Sequence, residues 1–238
     1  MQATRIVFGS KYGLENIGYL GCRTQFLDQI VLNSAPTQLV ILGAGMDTRC
    51  HRLELDPTCR CFEIDAAFTQ TYKHSIISKR AMFFTNSSRV TYVPVNFEEE
   101  DFFDALVQNG FDPKLQTTFI LEGVSYYLTK VALFATLSKI RKCSHRKTII
   151  AFDFATDYWT EGSNSSVNQF TLFLRRIGEP FLFGMPPKST PMETFGTPLG
   201  FTVDVWLGPW TFQDKYLGDH FLSSHHNLVM NLAVMSVA

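Results

Sequence analysis

Gln38-Leu39-Val40-Ile41-Leu42-Gly43-Ala44-Gly45-Met46-Asp47-Thr48-Arg49 is the stretch on which the reading of the fold turns. Leu39 to Leu42 is an unbroken apolar run rich in branched side chains. It shows no alternation, as expected of a parallel strand covered on both faces. Gly43 and Gly45 let the main chain turn sharply and approach a ligand with no Cβ in the way. Asp47 or Thr48 can cap the helix that follows. Strand, glycine turn and helix start together make the nucleotide-binding corner of a doubly wound sheet. About twenty residues further on, Phe62-Glu63-Ile64-Asp65 reads as a second strand ending in carboxylates, where an acid can grip a ribose diol. Glu63 and Asp65 share a face by pleating, and position at the strand's end favours Asp65 over Glu63.

Working outward, strands and helices alternate. Residues 1–17, with Gly9 and Gly13, read as an irregular leader. Residues 19–32 read as a helix with Phe26, Leu27, Ile30 and Val31 on one face. A short crossover helix is expected over 46–53, strands over 60–65, 90–95, 117–121 and 147–154, and helices over 66–80, 98–109 and 130–142. Thr129 should cap the last of these, and the acids at 98–101 should fill the first turn of the one before it. After Asp157 the rhythm changes. Helices are expected over 167–177 and 192–199, then two late strands, 201–207 and 228–237, joined by a loop carrying Trp206, Trp210 and Tyr216. No convincing crossover helix separates those strands, so they should form an antiparallel hairpin added to a parallel sheet with helices on both faces.

The 238 residues suit one domain. It divides into a leader and helix (1–36), a cofactor-binding core (37–156), a cover over the substrate (157–200) and the late hairpin (201–238). The formal net charge of -1 supplies no global field for nucleic acid or an anionic membrane. The 22 Phe suggest aromatic packing or a roomy apolar pocket, core packing being the commoner use. Phe170-Thr-Leu-Phe-Leu174 and Pro180-Phe-Leu-Phe183 could form an apolar lid. Five cysteines without zinc or disulfide spacing point to reduced thiols in the cytoplasm, and the histidines suggest no metal site. The N-terminus lacks a signal peptide's apolar core, and the most apolar stretch, 228–238, is too short to span a bilayer.

Leu42-Gly-Ala-Gly-Met-Asp-Thr48, Phe62-Glu-Ile-Asp65 and Leu121-Glu-Gly-Val-Ser-Tyr-Tyr127 resemble motifs of the leucine carboxyl methyltransferase family, including its bacterial and fungal relatives that act on small molecules. Arg23-Thr-Gln-Phe-Leu-Asp28, Gly110-Phe-Asp-Pro113, Gly178-Glu-Pro180 and Leu199-Gly-Phe201 are similar to further family motifs. The leader looks short beside the family's N-terminal region. The resemblance implies a Rossmann-like class I methyltransferase with a mostly parallel seven-stranded sheet, using S-adenosyl-L-methionine. Arg23 would hold the carboxylate of the cofactor's methionine part, with Gly43 and Gly45 against the cofactor. Asp65 would hold the ribose, and Glu122 would face the amino group. Asn96 and Phe97 match a pair that is usually Asp plus an apolar residue at the adenine. Tyr127, and less directly Tyr126, match substrate contacts. Each has a plainer role open to it: a surface arginine, a turn, a cap, or a core aromatic. Asp47 and Arg49 read as a cap and a local ion pair.

The expected reaction is methyl transfer to an oxygen, with the carboxylate of a small molecule or of a protein C-terminus favoured. An anionic acceptor needs no general base. A cofactor-binding protein without catalysis, and a nicotinamide-dependent oxidoreductase, are the alternatives.

Overall fold

A computed structural model describes residues 11–80, 84, 89–97, 100–157, 172, 174–208, 211 and 230–237. Its order is α1 (Lys11–Ser34), β1 (Gln38–Leu42), α2 (Arg49–Arg52), β2 (Arg60–Asp65), α3 (Ala67–Lys79), β3 (Val90–Pro94), α4 (Phe102–Gln108), β4 (Thr117–Leu121), a 3-10 turn (Ser125–Tyr127), α5 (Lys130–Cys143), β5 (Ile149–Ala155), a π turn (Met192–Gly196), α6 (Thr197–Leu199), β6 (Phe201–Leu207) and β7 (Met230–Val237).

The seven strands form one sheet in the order β3-β2-β1-β4-β5-β7-β6. β3, β2, β1, β4 and β5 pair in parallel, while β7 runs antiparallel to both β5 and β6. The expected late hairpin is therefore present, with its second strand inserted between β5 and β6. Successive strands run outward from β1 to β3, and the chain then crosses back to β4. The carboxyl ends of β1 and β4 thus flank a topological switch point, where doubly wound sheets bind ligands.

Both faces of β1 are buried, as its unbroken apolar run requires. Leu39 and Ile41 pack with Phe26, Leu27 and Val31 of α1, whereas Val40 and Leu42 belong to the core under α4 and α5. Among the described residues, phenylalanines fill much of that second core. Phe134, Phe152, Phe154 and Phe183 surround the buried Phe195 with ring centroids 5.2–6.0 Å away. Aromatic rings at such spacings gain from edge-to-face and offset contact beyond simple burial.

Several boundaries differ from expectation. Residues 11–17 are helical rather than irregular, so Gly13 and Gly18 lie inside α1. Docking of the Phe26, Leu27 and Val31 stripe on the sheet stabilises one continuous helix, outweighing the local weakness of its glycines. The crossover helix α2 is a single turn. α4 starts at Phe102, and Asp101 caps it from outside by accepting from the N–H groups of Phe103 and Asp104 at 2.9 and 3.2 Å. Trp206 belongs to β6, where its indole N–H donates to Asn231 Oδ1 at 3.1 Å. Trp210, Tyr216 and most of the expected helix over 167–177 lie outside the described residues. Among the described residues, no disulfide joins the cysteines and no helix is long and apolar enough to cross a membrane.

Candidate functional site

The carboxyl end of β1 turns through Gly43 (φ +65°) and Gly45 (φ +42°), left-handed values that favour glycine. A Cβ on Gly43 would lie 2.5 Å from Val124 Cγ2, so this glycine lets the loops after β1 and β4 close on each other. Its bareness therefore serves the turn and this close packing as well as any approach of a ligand. A Cβ on Gly45 would meet only Gly43 O, at 3.9 Å, so space remains above the second glycine.

Asp65, at the end of β2, joins this turn directly. Its Oδ2 accepts from Gly45 N at 2.6 Å, and its Oδ1 from Ala66 N at 2.7 Å. The carboxylate therefore ties the glycine turn to the approach of α3 and remains half-exposed. Glu63, which shares its face, is fully enclosed. Lys73 Nζ lies 2.6 Å from Glu63 Oε2, and His51 Nε2 lies 3.2 Å from Glu63 Oε1. Lys73 thus pairs with Glu63, and the His51 imidazole packs against the same carboxylate. The two acids on one face differ in surroundings: Glu63 is walled in by Lys73 and His51, while Asp65 stands at the strand tip.

Glu122, just past β4, sits between two guanidiniums. Arg23 Nε of α1 approaches Oε1 at 2.7 Å, and Arg49 Nη1 of α2 donates to Oε2. Arg23 also reaches Asp153 Oδ2 of β5 at 2.6 Å, and Asp153 Oδ1 accepts from Gly123 N at 2.7 Å. Arg49 continues to Asp47 and, at 2.8 Å, to Asp28; Asp28 in turn pairs with Arg52 at 2.7 Å. Three guanidiniums thus face four carboxylates, and one negative charge is left uncompensated if all are ionised. Burial opposes the charge on Arg23, but Asp153, Tyr19 and Glu122 outweigh it and hold its pKa above the ordinary value. Burial pushes the fully enclosed Asp153 carboxyl upward, with Arg23 and the Gly123 N–H pulling it back.

Tyr126 and Tyr127 follow on the 3-10 turn. Their rings lie 4.8 Å apart, and Phe181 packs on both at 4.4 and 5.5 Å. Tyr126 is buried, and its hydroxyl and the Arg23 guanidinium both lie beside Gly123. Burial, together with the nearby Glu179 carboxylate, pushes the Tyr127 phenol up to about 12. Tyr127 therefore stays protonated at neutral pH.

Arg23, Gly43, Gly45, Asp65 and Glu122 are accordingly gathered at the tips of β1, β2 and β4, with Tyr127 one ring further out. Asn96 and Phe97 stand beyond Asp65, linked to it through Val95 N, which donates to Asp65 O at 3.0 Å. Asn96 is exposed, and its N–H donates to Glu100 Oε1 at 2.9 Å. Phe97 packs against Phe102, with centroids 6.1 Å apart. Asp47 does accept from Arg49 N at 2.7 Å, as a cap would. Arg49, however, is far more than a local partner of Asp47. Sequence reasoning missed this, and it missed Asp153. An acid inside the apolar run Ile149–Ala155 was the available signal, because a buried carboxylate needs partners. Among the described residues no group of three His, Cys, Asp or Glu could hold a metal ion.

Glycine turn, strand-tip acid and helix-borne arginine define a doubly wound α/β protein of the nucleotide-binding kind. The family model described as Leucine carboxyl methyltransferase matches residues 12–141, from α1 into α5. The chain belongs to that family. A Frankia alni protein named "putative S-adenosyl-L-methionine-dependent methyltransferase" is 31% identical over 140 residues, covering 58% of this chain and 49% of the relative. The chain thus spans about half the length of that relative. Among solved structures, a DUF574 family protein from Streptomyces avermitilis superposes with a TM-score of 0.65 at 9% identity, covering 100% of this chain and 88% of the other. Magnesium protoporphyrin IX methyltransferase from Synechocystis, with bound S-adenosylhomocysteine, superposes with a TM-score of 0.57 at 10% identity, covering 98% and 92%. At such identities these two likenesses show the shared fold.

Proposed function

We propose that this protein is an S-adenosylmethionine-dependent methyltransferase acting on an oxygen, most favourably a carboxylate. The observation that carries this reading is the gathering of Arg23, Glu122, Asp65 and the two left-handed glycines at the switch point. The donor fits this set chemically. It has a carboxylate for a guanidinium, an ammonium for a carboxylate, a ribose diol for a strand-tip acid, and a net positive charge for a cluster one charge short of neutral. The space above Gly45 is left open by the missing Cβ. Family membership and the named function of the Frankia relative support the same reading.

Arg23 would turn one donor from Asp153 or Glu122 to the donor's carboxylate, and Glu122 would then accept from the ammonium. Asp65 would take the ribose hydroxyls, and Phe97 would border the adenine. Asn96 would accept from the adenine amino group through its side-chain carbonyl, without the charge assistance that an Asp would bring. S-adenosylmethionine supplies, when bound, an electrophilic sulfonium methyl.

A carboxylate acceptor is favoured by what surrounds the strand tips. Tyr127 holds its proton, Tyr126 lies buried on Arg23, and Glu122 and Asp153 are engaged by guanidiniums. None of these four is poised as a general base. An acceptor already anionic at neutral pH needs only placement in line with the methyl group and exclusion of water. Tyr127 would donate to such an acceptor.

The test is calorimetric titration with S-adenosylmethionine, followed by a panel of carboxylic and hydroxylic acceptors. Binding together with methyl-ester formation supports the reading. Protection from thermal unfolding by NAD and not by S-adenosylmethionine would replace it with an oxidoreductase. Binding with no turnover on any acceptor would leave a cofactor-binding protein.

A further inference from the structure

Arg49 is the largest polar side chain in the fully buried set, at 2% exposure. Its guanidinium reaches three separate parts of the fold. On α1 it meets Asp28 Oδ1 at 2.8 Å and the Thr24 carbonyl at 3.2 Å; in the glycine turn it meets Asp47; at the tip of β4 it meets Glu122 Oε2. An enclosed guanidinium is an expensive way to fill space, since an apolar side chain of similar volume would often stabilise as well or better. What an apolar side chain could not do is orient a carboxylate. Arg23 holds one oxygen of Glu122 and Arg49 the other, so the plane of that carboxylate is fixed from both sides. The same guanidinium anchors the helix that carries Arg23. All three of its nitrogens are engaged by the chain itself, so it acts through its partners.

We propose that Arg49 is a positioning residue of the donor site. Through Glu122 it sets the acid that receives the donor's ammonium, and through Asp28 and Thr24 it holds α1, and with it Arg23, over the strand tips. This rests on the methyltransferase reading and adds to it a residue that controls recognition of the donor's amino-acid tail rather than its nucleoside.

The experiment uses two probes. S-adenosylhomocysteine carries the amino-acid tail, and 5′-methylthioadenosine is a nucleoside thioether without it. Both are titrated calorimetrically into the wild type, Arg49→Lys and Arg49→Met. The wild type should prefer S-adenosylhomocysteine. Arg49→Lys should weaken that probe by about tenfold and Arg49→Met by more, with 5′-methylthioadenosine unchanged within about twofold. Equal loss for both probes would reduce Arg49 to a structural role and overturn the proposal, as would no loss at all. A wild type that binds neither probe removes the methyltransferase reading along with the proposal, whereas one that binds both alike leaves that reading standing and overturns the proposal. Should neither Arg49 variant fold, Asp28→Asn loosens the same guanidinium from the α1 side. A loss confined to S-adenosylhomocysteine would then support the positioning role, and an unchanged probe ratio would overturn it.

Discussion

Two buried charge clusters lie on this sheet, and they differ in what surrounds them. The first, Glu63 with Lys73 and His51, is enclosed between the middle of β2 and helices α2 and α3, all three side chains being almost wholly buried. The second, Arg23, Arg49, Glu122 and Asp153, sits at the carboxyl ends of β4 and β5, where Glu122 retains 13% side-chain exposure. Buried charge alone therefore does not mark a binding site. The enclosed cluster joins α2, β2 and α3, with Tyr92 of β3 against His51 at 3.3 Å, away from the strand tips. The strand-tip cluster lies at the topological switch, extends through Arg49 to Asp47, Asp28 and Arg52 with an excess of one carboxylate if all are ionised, and joins two helices, a glycine turn and two strands.

The largest effect should come from breaking the enclosed cluster. Lys73→Met leaves Glu63 buried without its lysine, a change that costs about 3–5 kcal/mol. Thermal or urea unfolding should register the loss, while affinity for S-adenosylhomocysteine in the still-folded fraction stays near wild type. A selective loss of affinity would erase the distinction between the clusters. Arg23→Ala should act in the opposite way, removing on the order of 1.5–3 kcal/mol of binding. It should also give the stability a pH signature. The Asp153 pKa is already raised by burial, and Arg23 is a counterweight to that rise. A carboxyl with a raised folded pKa contributes stability that is fully present below its unfolded value near 3.9 and is lost as pH rises through the folded value. Without Arg23 the folded value climbs further. The variant's deficit should therefore widen from acid toward neutral pH in melting curves, and a deficit independent of pH would contradict this.

Smaller changes sharpen the picture. Tyr127→Phe should lower kcat/KM for the acceptor by about tenfold or less and leave S-adenosylhomocysteine binding unchanged, because it removes one hydrogen bond to the acceptor. With its phenol at about 12, the residue should put no inflection into the rate profile near neutrality. The smallest effect is expected at Asn96. Restoring charge assistance with Asn96→Asp should improve cofactor affinity a few-fold, on the order of 0.5–1 kcal/mol, and calorimetry would detect it. An unchanged affinity would detach Asn96 from the adenine.

Much of the fold was legible because its signals are local. The bounds of β2 and β4 follow from apolar residues ended by carboxylates, and those of β6 from the glycines on either side of it. The pairing of Asp65 with the glycine turn, and of Arg23 with Glu122, agrees with motif positions, although the contacts themselves span 20 and 99 residues. Arg49 and Asp153 escaped for a different reason. A one-turn helix has no periodicity to reveal which side chain points inward, and an acid within β5 shows its purpose only once Arg23 from another element arrives. The start of α1 was likewise hidden, because glycines that suggest irregular chain were outvoted by packing further along the same helix.

The most direct test of the account is titration of S-adenosylhomocysteine into the wild type, Arg23→Ala and Lys73→Met under conditions where all three are folded. The strand-tip cluster as donor site predicts near-equal binding by the wild type and Lys73→Met, with binding weakened about 10- to 150-fold in Arg23→Ala. Absence of binding in the wild type, or equal loss in both variants, would contradict it.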